Sequence, residues 1–213
     1  MSVTLLLSVS ASTTSEKEVK SVLVTGASTG IGRNLAETLT RNGLHVYAGA
    51  RKEKDLIALS AIENITAVKL DVTKQDEIYA VFALIQESGN GLYALLNNAG
   101  IGGGGLIAET PIEDQTIVYH INVEGVYRVT KAFTPLILES KGRISTTGSI
   151  AGTITRAGLS AYSGSKHWIE AFTDSLALEM EPQGVLVSVI EPAIINHLFA
   201  AVACVCKSRS DGR

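Results

Sequence analysis

Apolar positions along this chain follow two rhythms. Six short, β-branched runs, at 21–25, 44–50, 65–70, 92–97, 142–148 and 185–190, predict strands. Between them apolar residues fall at helical spacing. Ile31, Leu35 and Leu39 recur at four-residue steps, and Ile78, Val81, Phe82 and Ile85 form one face further on. Thr73 with Asp76, and Thr110 with Pro111 and Glu113, predict helix starts in the same phase. Strands alternating with helices through short connections predict an α/β fold: a doubly wound parallel sheet of six strands, covered on both faces by right-handed crossovers. No repeat or linker interrupts 21–192, so one domain is expected there, between a flexible leader over 1–20 and an atypical tail over 193–213. The run Gly102-Gly103-Gly104-Gly105 reads as a mobile loop.

Composition narrows the partners. The chain has 213 residues and a net charge of −3, which gives no basic surface for nucleic acid. Hydrophobic content of 46% suits buried parallel strands. Two cysteines, Cys204 and Cys206, are too few and too close for a disulfide framework, so a reducing, cytoplasmic setting is expected. No apolar run reaches the roughly 18 residues of a membrane span. The apolar stretch Val3–Val9 lacks a basic segment before it, and a disordered arm is expected there rather than a cleaved signal.

Two stretches carry chemistry. Val22-Leu23-Val24 feeds Thr25-Gly26-Ala27-Ser28-Thr29-Gly30-Ile31-Gly32 and then a helix. In such a turn Gly26 permits the bend, Gly30 lets backbone approach a pyrophosphate, and Gly32 allows close helix packing, while the helix N-terminus offers N–H groups to the anion. A plain strand–turn–helix is the alternative. After the second strand the chain reads Ala48-Gly49-Ala50-Arg51-Lys52, without the acid that takes the ribose hydroxyls of NAD. Arg51 is suited to a 2′-phosphate, so NADP is expected ahead of NAD, against the alternative of a solvated loop cation.

The second stretch places Tyr162 and Lys166 at i and i+4, on one helix face, with Ser149 thirteen residues before the tyrosine. A free phenol titrates near pH 10. A neighbouring ammonium and a cationic nicotinamide favour the phenolate, and a lowering of about three units takes about 4 kcal/mol. Tyr127 and Lys131 repeat the spacing, but Asp114 stands where a serine would be needed, so that pair is an ordinary helix face.

From about 21 to 192 the chain resembles the short-chain dehydrogenase/reductase family. The likeness rests on Thr25–Gly32, Asn97-Asn98-Ala99-Gly100, Asn122, Ser149 and Tyr162-x-x-x-Lys166, in that order. It implies a Rossmann fold and hydride transfer between NADP(H) and a small-molecule carbonyl or secondary alcohol. By the same resemblance Tyr162 is the general acid in reduction and base in oxidation, Lys166 depresses its pKa and holds the nicotinamide ribose, Ser149 bonds the carbonyl oxygen, and Asn122 anchors a relay water. Cofactor contacts are implied for Gly26, Ser28, Thr29, Gly30, Ile31, Gly32, Arg51, Asp71, Val72, Asn98, Ala99, Gly100 and Pro192, with Asp71 and Val72 at the adenine. A homodimer or homotetramer through helices at about 113–138 and 161–181 is also implied. His167 and Glu170–Leu176 resemble the branch acting on steroids, retinoids and similar lipophilic alcohols, with a structural role expected for His167.

The family pattern breaks after Glu191-Pro192, where Ala193 replaces the expected glycine. Asn196 is the candidate for the carboxamide contact. His197, Cys204 and Cys206 lack a fourth metal ligand, so no metal is expected. A shortened C-terminus without a seventh strand is expected to leave 185–190 as an exposed, aggregation-prone edge. A cofactor-binding pseudoenzyme or unstable fragment is the alternative to an active enzyme.

Overall fold

In the computed structural model, which describes residues 19–193, all six runs form strands and every neighbouring pair is parallel. They are β1 (Ser21–Val24), β2 (His45–Ala50), β3 (Ile65–Lys69), β4 (Ala94–Asn97), β5 (Arg143–Thr147) and β6 (Leu186–Ile190). Their order across the sheet is β3-β2-β1-β4-β5-β6. Successive side chains point to opposite faces. Leu23 therefore joins one core while Val22 and Val24 join the other, and both faces of the central strand are apolar.

The helices are α1 (Gly30–Arg41), α2 (Glu53–Ser60), α3 (Gln75–Glu87), α4 (Ile112–Tyr119), α5 (Val126–Ser140) and α6 (Ser160–Met180). Ala36 of α1 and Leu59 of α2 pack over β1–β3 on one face. On the other, Ile78, Val81 and Ile85 of α3 meet Phe133 of α5 and Leu176 of α6. Phe133 is fully buried, with its ring 6.0 Å from that of Phe82. The apolar face predicted for α3 is the one the core uses.

Three local expectations change. In α1 the fully buried row is Gly32, Ala36 and Thr40, while Ile31, Leu35 and Leu39 are half-buried beside it. Small residues line the contact because the helix start lies almost on the chain after β1, and the larger side chains seal its flanks. Thr73 does not cap α3, which starts at Gln75 behind Lys74; its N–H and hydroxyl bond Asp71 Oδ1 at 3.0 and 2.7 Å. Thr110 likewise donates to the Leu106 carbonyl at 2.9 Å, and Pro111 precedes the first turn of α4.

The glycine run is the third. A Cβ at Gly103 would strike Val118, one at Gly104 the Gly158 carbonyl oxygen, and one at Gly105 the Thr110 hydroxyl. The Gly105 N–H also donates to the Gly158 carbonyl at 2.8 Å. Three of these four glycines are there for close approach, and the expected mobile loop is a fitted one. Gly102 alone faces open space.

Between α4 and α5 the chain continues through a π turn, His120–Gly125. The wider turn carries Asn122 inward, where it is 1% exposed. Among the described residues β3 and β6 are the sheet edges, and Leu186 of β6 is well exposed. No described helix is long and apolar enough to cross a membrane. The expectations for the leader up to residue 18 and for Asn196, His197, Cys204 and Cys206 lie outside the described residues.

Candidate active site

The strand order reverses between β1 and β4, and in parallel sheets a crevice opens at such a point outside the carboxyl ends of the strands. A crevice of about 560 Å³ lies there, and the tips of all six strands contribute to it. Gly26 makes the turn after β1 with φ of +65°, and a Cβ on it would lie 2.8 Å from Ala99 Cα. Gly30 also has positive φ, +57°, with open space where a side chain would stand. A Cβ at Gly32 would collide with the Gly26 carbonyl and the Asn98 amide. The three glycines thus do three different things: Gly26 makes the bend, Gly32 lets the helix pack close, and Gly30 leaves its side of the turn open.

Asn98 ties the strand tips together. Its Nδ2 donates to the Thr25 and Gly26 carbonyls, both at 3.2 Å, and its Oδ1 accepts from the Thr147 hydroxyl at 3.2 Å. The Thr25 hydroxyl in turn accepts the Asn98 and Ala99 N–H groups, each at 3.0 Å. β1, β4 and β5 are locked in register where the crevice opens. The start of α1 carries no side-chain cap at Thr29 and no acid in its first turn, so its N–H groups remain suited to a phosphate. A dinucleotide fits this donor set.

At the β2 and β3 tips, Arg51 and Asp71 line the same crevice. Arg51 is more than half exposed and stands 4.0 Å from Asp71 Oδ2. Burial pushes the Asp71 carboxyl up, but bonds from the Thr73 backbone and hydroxyl, with Arg51 and Lys74 nearby, outweigh it and hold the group below the usual carboxylate range.

The catalytic candidates come from β5 and α6. Ser149 follows β5 in extended backbone, 8% exposed, and its Oγ accepts the Ala151 N–H at 3.1 Å. The Gly148 N–H donates to the Ile190 carbonyl at 2.7 Å and the Ile150 N–H to the Pro192 carbonyl at 3.2 Å, which pins this loop to the end of β6. Lys166 is 6% exposed; its Nζ lies 5.7 Å from the Tyr162 ring centroid and donates to the Thr147 carbonyl at 2.7 Å. Burial pushes the Lys166 ammonium down to about 8, and the Glu170 carboxylate opposes that.

Of the expected site residues, Gly26, Ser28, Thr29, Ile31, Arg51, Asp71, Val72, Asn98, Ala99, Gly100, Ser149, Tyr162, Lys166 and Pro192 all line the crevice. Gly30 and Gly32 shape the turn behind it. Asn122 is set apart: its Nδ2 donates to the Ile101 carbonyl at 2.9 Å and to Ser165 Oγ at 3.1 Å, while Oδ1 accepts the Ile101 N–H at 2.9 Å. Both amide protons are spent, so the side chain is a strut between the β4 loop and α6. His167 bonds back to the Ser163 carbonyl at 2.8 Å, and Tyr127 is 52% exposed on α5; neither lines the crevice. Among the described residues no three His, Cys, Asp or Glu side chains cluster as metal ligands. Thr25 opens the glycine motif without a role of its own in the sequence, and nothing there singles out Thr147 or Ser165. Their position at strand tips, and three residues after Tyr162, was the available signal.

Known proteins are similar to this chain in sequence and in fold. Residues 20–201 match the family described as short chain dehydrogenase. Mitochondrial D-beta-hydroxybutyrate dehydrogenase of Bos taurus is 38% identical over 183 residues, 81% of this chain and 53% of that protein. Retinol dehydrogenase 16 of Rattus norvegicus is 37% identical over 183 residues, 83% of this chain and 57% of the relative. Among solved structures, a variant of actinorhodin polyketide ketoreductase with NADPH is similar with a TM-score of 0.80 at 34% identity, over 84% of this chain and 71% of that one. The chain thus spans little more than half the length of these two curated relatives.

Proposed function

The chain belongs to the short-chain dehydrogenase/reductase family, and from that membership we propose that it is an oxidoreductase moving a hydride between NADP(H) and a small-molecule carbonyl or secondary alcohol, through one catalytic domain over 21–192. The observation that carries this reading is the meeting of Ser149, Tyr162 and Lys166 with the glycine turn and the β4 tip around one crevice.

The nicotinamide, when bound, supplies or accepts the hydride. Tyr162 gives its phenolic proton to the carbonyl oxygen in reduction and takes the hydroxyl proton in oxidation. The Lys166 ammonium stands 5.7 Å from the Tyr162 ring centroid, on the side where that proton moves, and would hold the nicotinamide ribose. Ser149 already accepts one bond from Ala151, so its own proton is free to go to the substrate oxygen. Asn122 holds the β4 loop in place; the water relay expected of it would not run through its amide protons. Asp71 and Val72 take the adenine end.

Preference for NADP over NAD is supported by Arg51 at the crevice and by NADPH in a solved relative. The apolar surface left exposed on these helices, Tyr127 on α5 and Leu178 on α6, supports a homodimer or homotetramer through them. NADPH fluorescence titration followed by a ketone panel tests the whole reading. Tyr162→Phe is expected to lower turnover about a hundred- to ten-thousand-fold with NADPH binding intact. Retained turnover would refute the role of Tyr162, and binding without turnover in the unaltered protein would leave a cofactor-binding pseudoenzyme.

A further inference from the structure

Lys166 and Glu170 stand four residues apart on α6, so both side chains leave the same helix face. Both reach the end of β5. Lys166 Nζ donates to the Thr147 carbonyl at 2.7 Å. The next residue is Gly148, and a Cβ built there would lie 2.9 Å from Glu170 Oε1. Beyond Ser149, a Cβ at Gly152 would lie 3.2 Å from both Oε1 and Cγ of Glu170. The carboxylate occupies a slot that exists because residues 148 and 152 have no side chains. Ser149 hangs between those two glycines. Oε1 is shut off from solvent, as is most of Lys166. A buried ammonium without an anion nearby sheds its proton, and a neutral amine puts no positive charge beside Tyr162.

We propose that Glu170 is a positioning residue of this active site: it keeps Lys166 an ammonium and sets the spacing of the Ser149 loop against α6, a role that rests on reading Tyr162 and Lys166 as the catalytic pair. The charge balance around Lys166 agrees. Glu170 and Tyr162 face it from its own helix, and β5 offers the neutral Thr147 carbonyl. The neighbouring β6 is followed by Glu191, but Glu170 is the carboxylate that pulls the lysine back towards charge.

Glu170→Gln keeps the shape of the side chain in the slot and removes its charge. The primary readout is an NMR titration of lysine labelled with carbon-13 at Cε, with the Lys166 signal assigned through Lys166→Arg. In Glu170→Gln the Lys166 midpoint is expected to fall by about one pH unit or more. The alkaline limb of kcat for ketone reduction should move down with it, while KM stays near that of the unaltered protein. An unmoved midpoint in an active enzyme overturns the role of Glu170 and leaves the oxidoreductase reading standing. A moved midpoint in a protein that reduces no ketone supports the charge relation and removes that reading instead. If Glu170→Gln does not fold, Glu170→Asp decides: a midpoint held near its original position supports the role, and a fall despite the retained charge overturns it.

Discussion

Replacing Lys166 by Met keeps most of the bulk of a 6%-exposed side chain and deletes its charge. Burial pushes the ammonium from 10.5 to about 8, with Glu170 acting in the opposite sense. A lysine lowered by that much costs the folded state about 3 kcal/mol while it is charged both folded and unfolded. Below about pH 8 both states carry the proton and the full cost is felt. Between about 8 and 10.5 the unfolded chain keeps its proton and the folded chain releases it, so stability rises with pH. Above 10.5 both are neutral and the cost has gone. The unfolding free energy of the unaltered protein minus that of Lys166→Met should therefore climb by about 3 kcal/mol across that window. Urea unfolding followed by circular dichroism at a series of pH values, without cofactor, measures both terms. The subtraction cancels the titrations the two chains share. The bond to the Thr147 carbonyl survives deprotonation, because a neutral amine still donates, so it adds an offset and no slope. A flat difference would refute the depressed ammonium, and a falling one would mean that the field of Glu170 outweighs burial.

Three other perturbations probe the scaffold and the cofactor choice. Asn98→Ala removes three side-chain hydrogen bonds joining the β1, β4 and β5 tips, and at about 1 kcal/mol each should cost about 3 kcal/mol in chemical denaturation and weaken NADPH binding; a loss under about 0.5 kcal/mol would contradict the tie between the strand tips. Gly104→Ala drives a methyl into the Gly158 carbonyl and should cost about 1–3 kcal/mol, whereas Gly102→Ala meets nothing and should be neutral; equal melting temperatures for the two would restore a loosely packed glycine loop. Arg51→Asp should shift the NADPH-to-NADH affinity ratio about ten- to a hundredfold towards NADH, read by fluorescence titration of each; an unchanged ratio would remove Arg51 from the phosphate site.

Much of the fold was legible because its signals are local. Parallel strands buried on both faces need unbroken apolar runs, so the six strands declared themselves within a residue or two of their observed ends. The apolar face of α3 was equally plain, since Ile78, Val81 and Ile85 sit at helical spacing. The row that α1 buries was not. Periodicity says which side chains are apolar, whereas Gly32, Ala36 and Thr40 face the sheet because two backbones come close. The glycine run misled for a related reason: composition reports freedom, and only the neighbouring Val118, Thr110 and Gly158 reveal that the space is filled.

The chain alone determined that a glycine turn would follow a strand and that Tyr162 and Lys166 would share a helix face, since both depend on bonds between residues a few positions apart. Tertiary structure decided the rest. Asn98 reaches Thr25 and Thr147, and Asn122 reaches Ile101 and Ser165, across separations set by the strand order. A polar side chain takes whichever partner the packed sheet brings within about 3 Å, and a buried ammonium takes its acidity from whatever shuts out water. Neither is a property of nearby sequence.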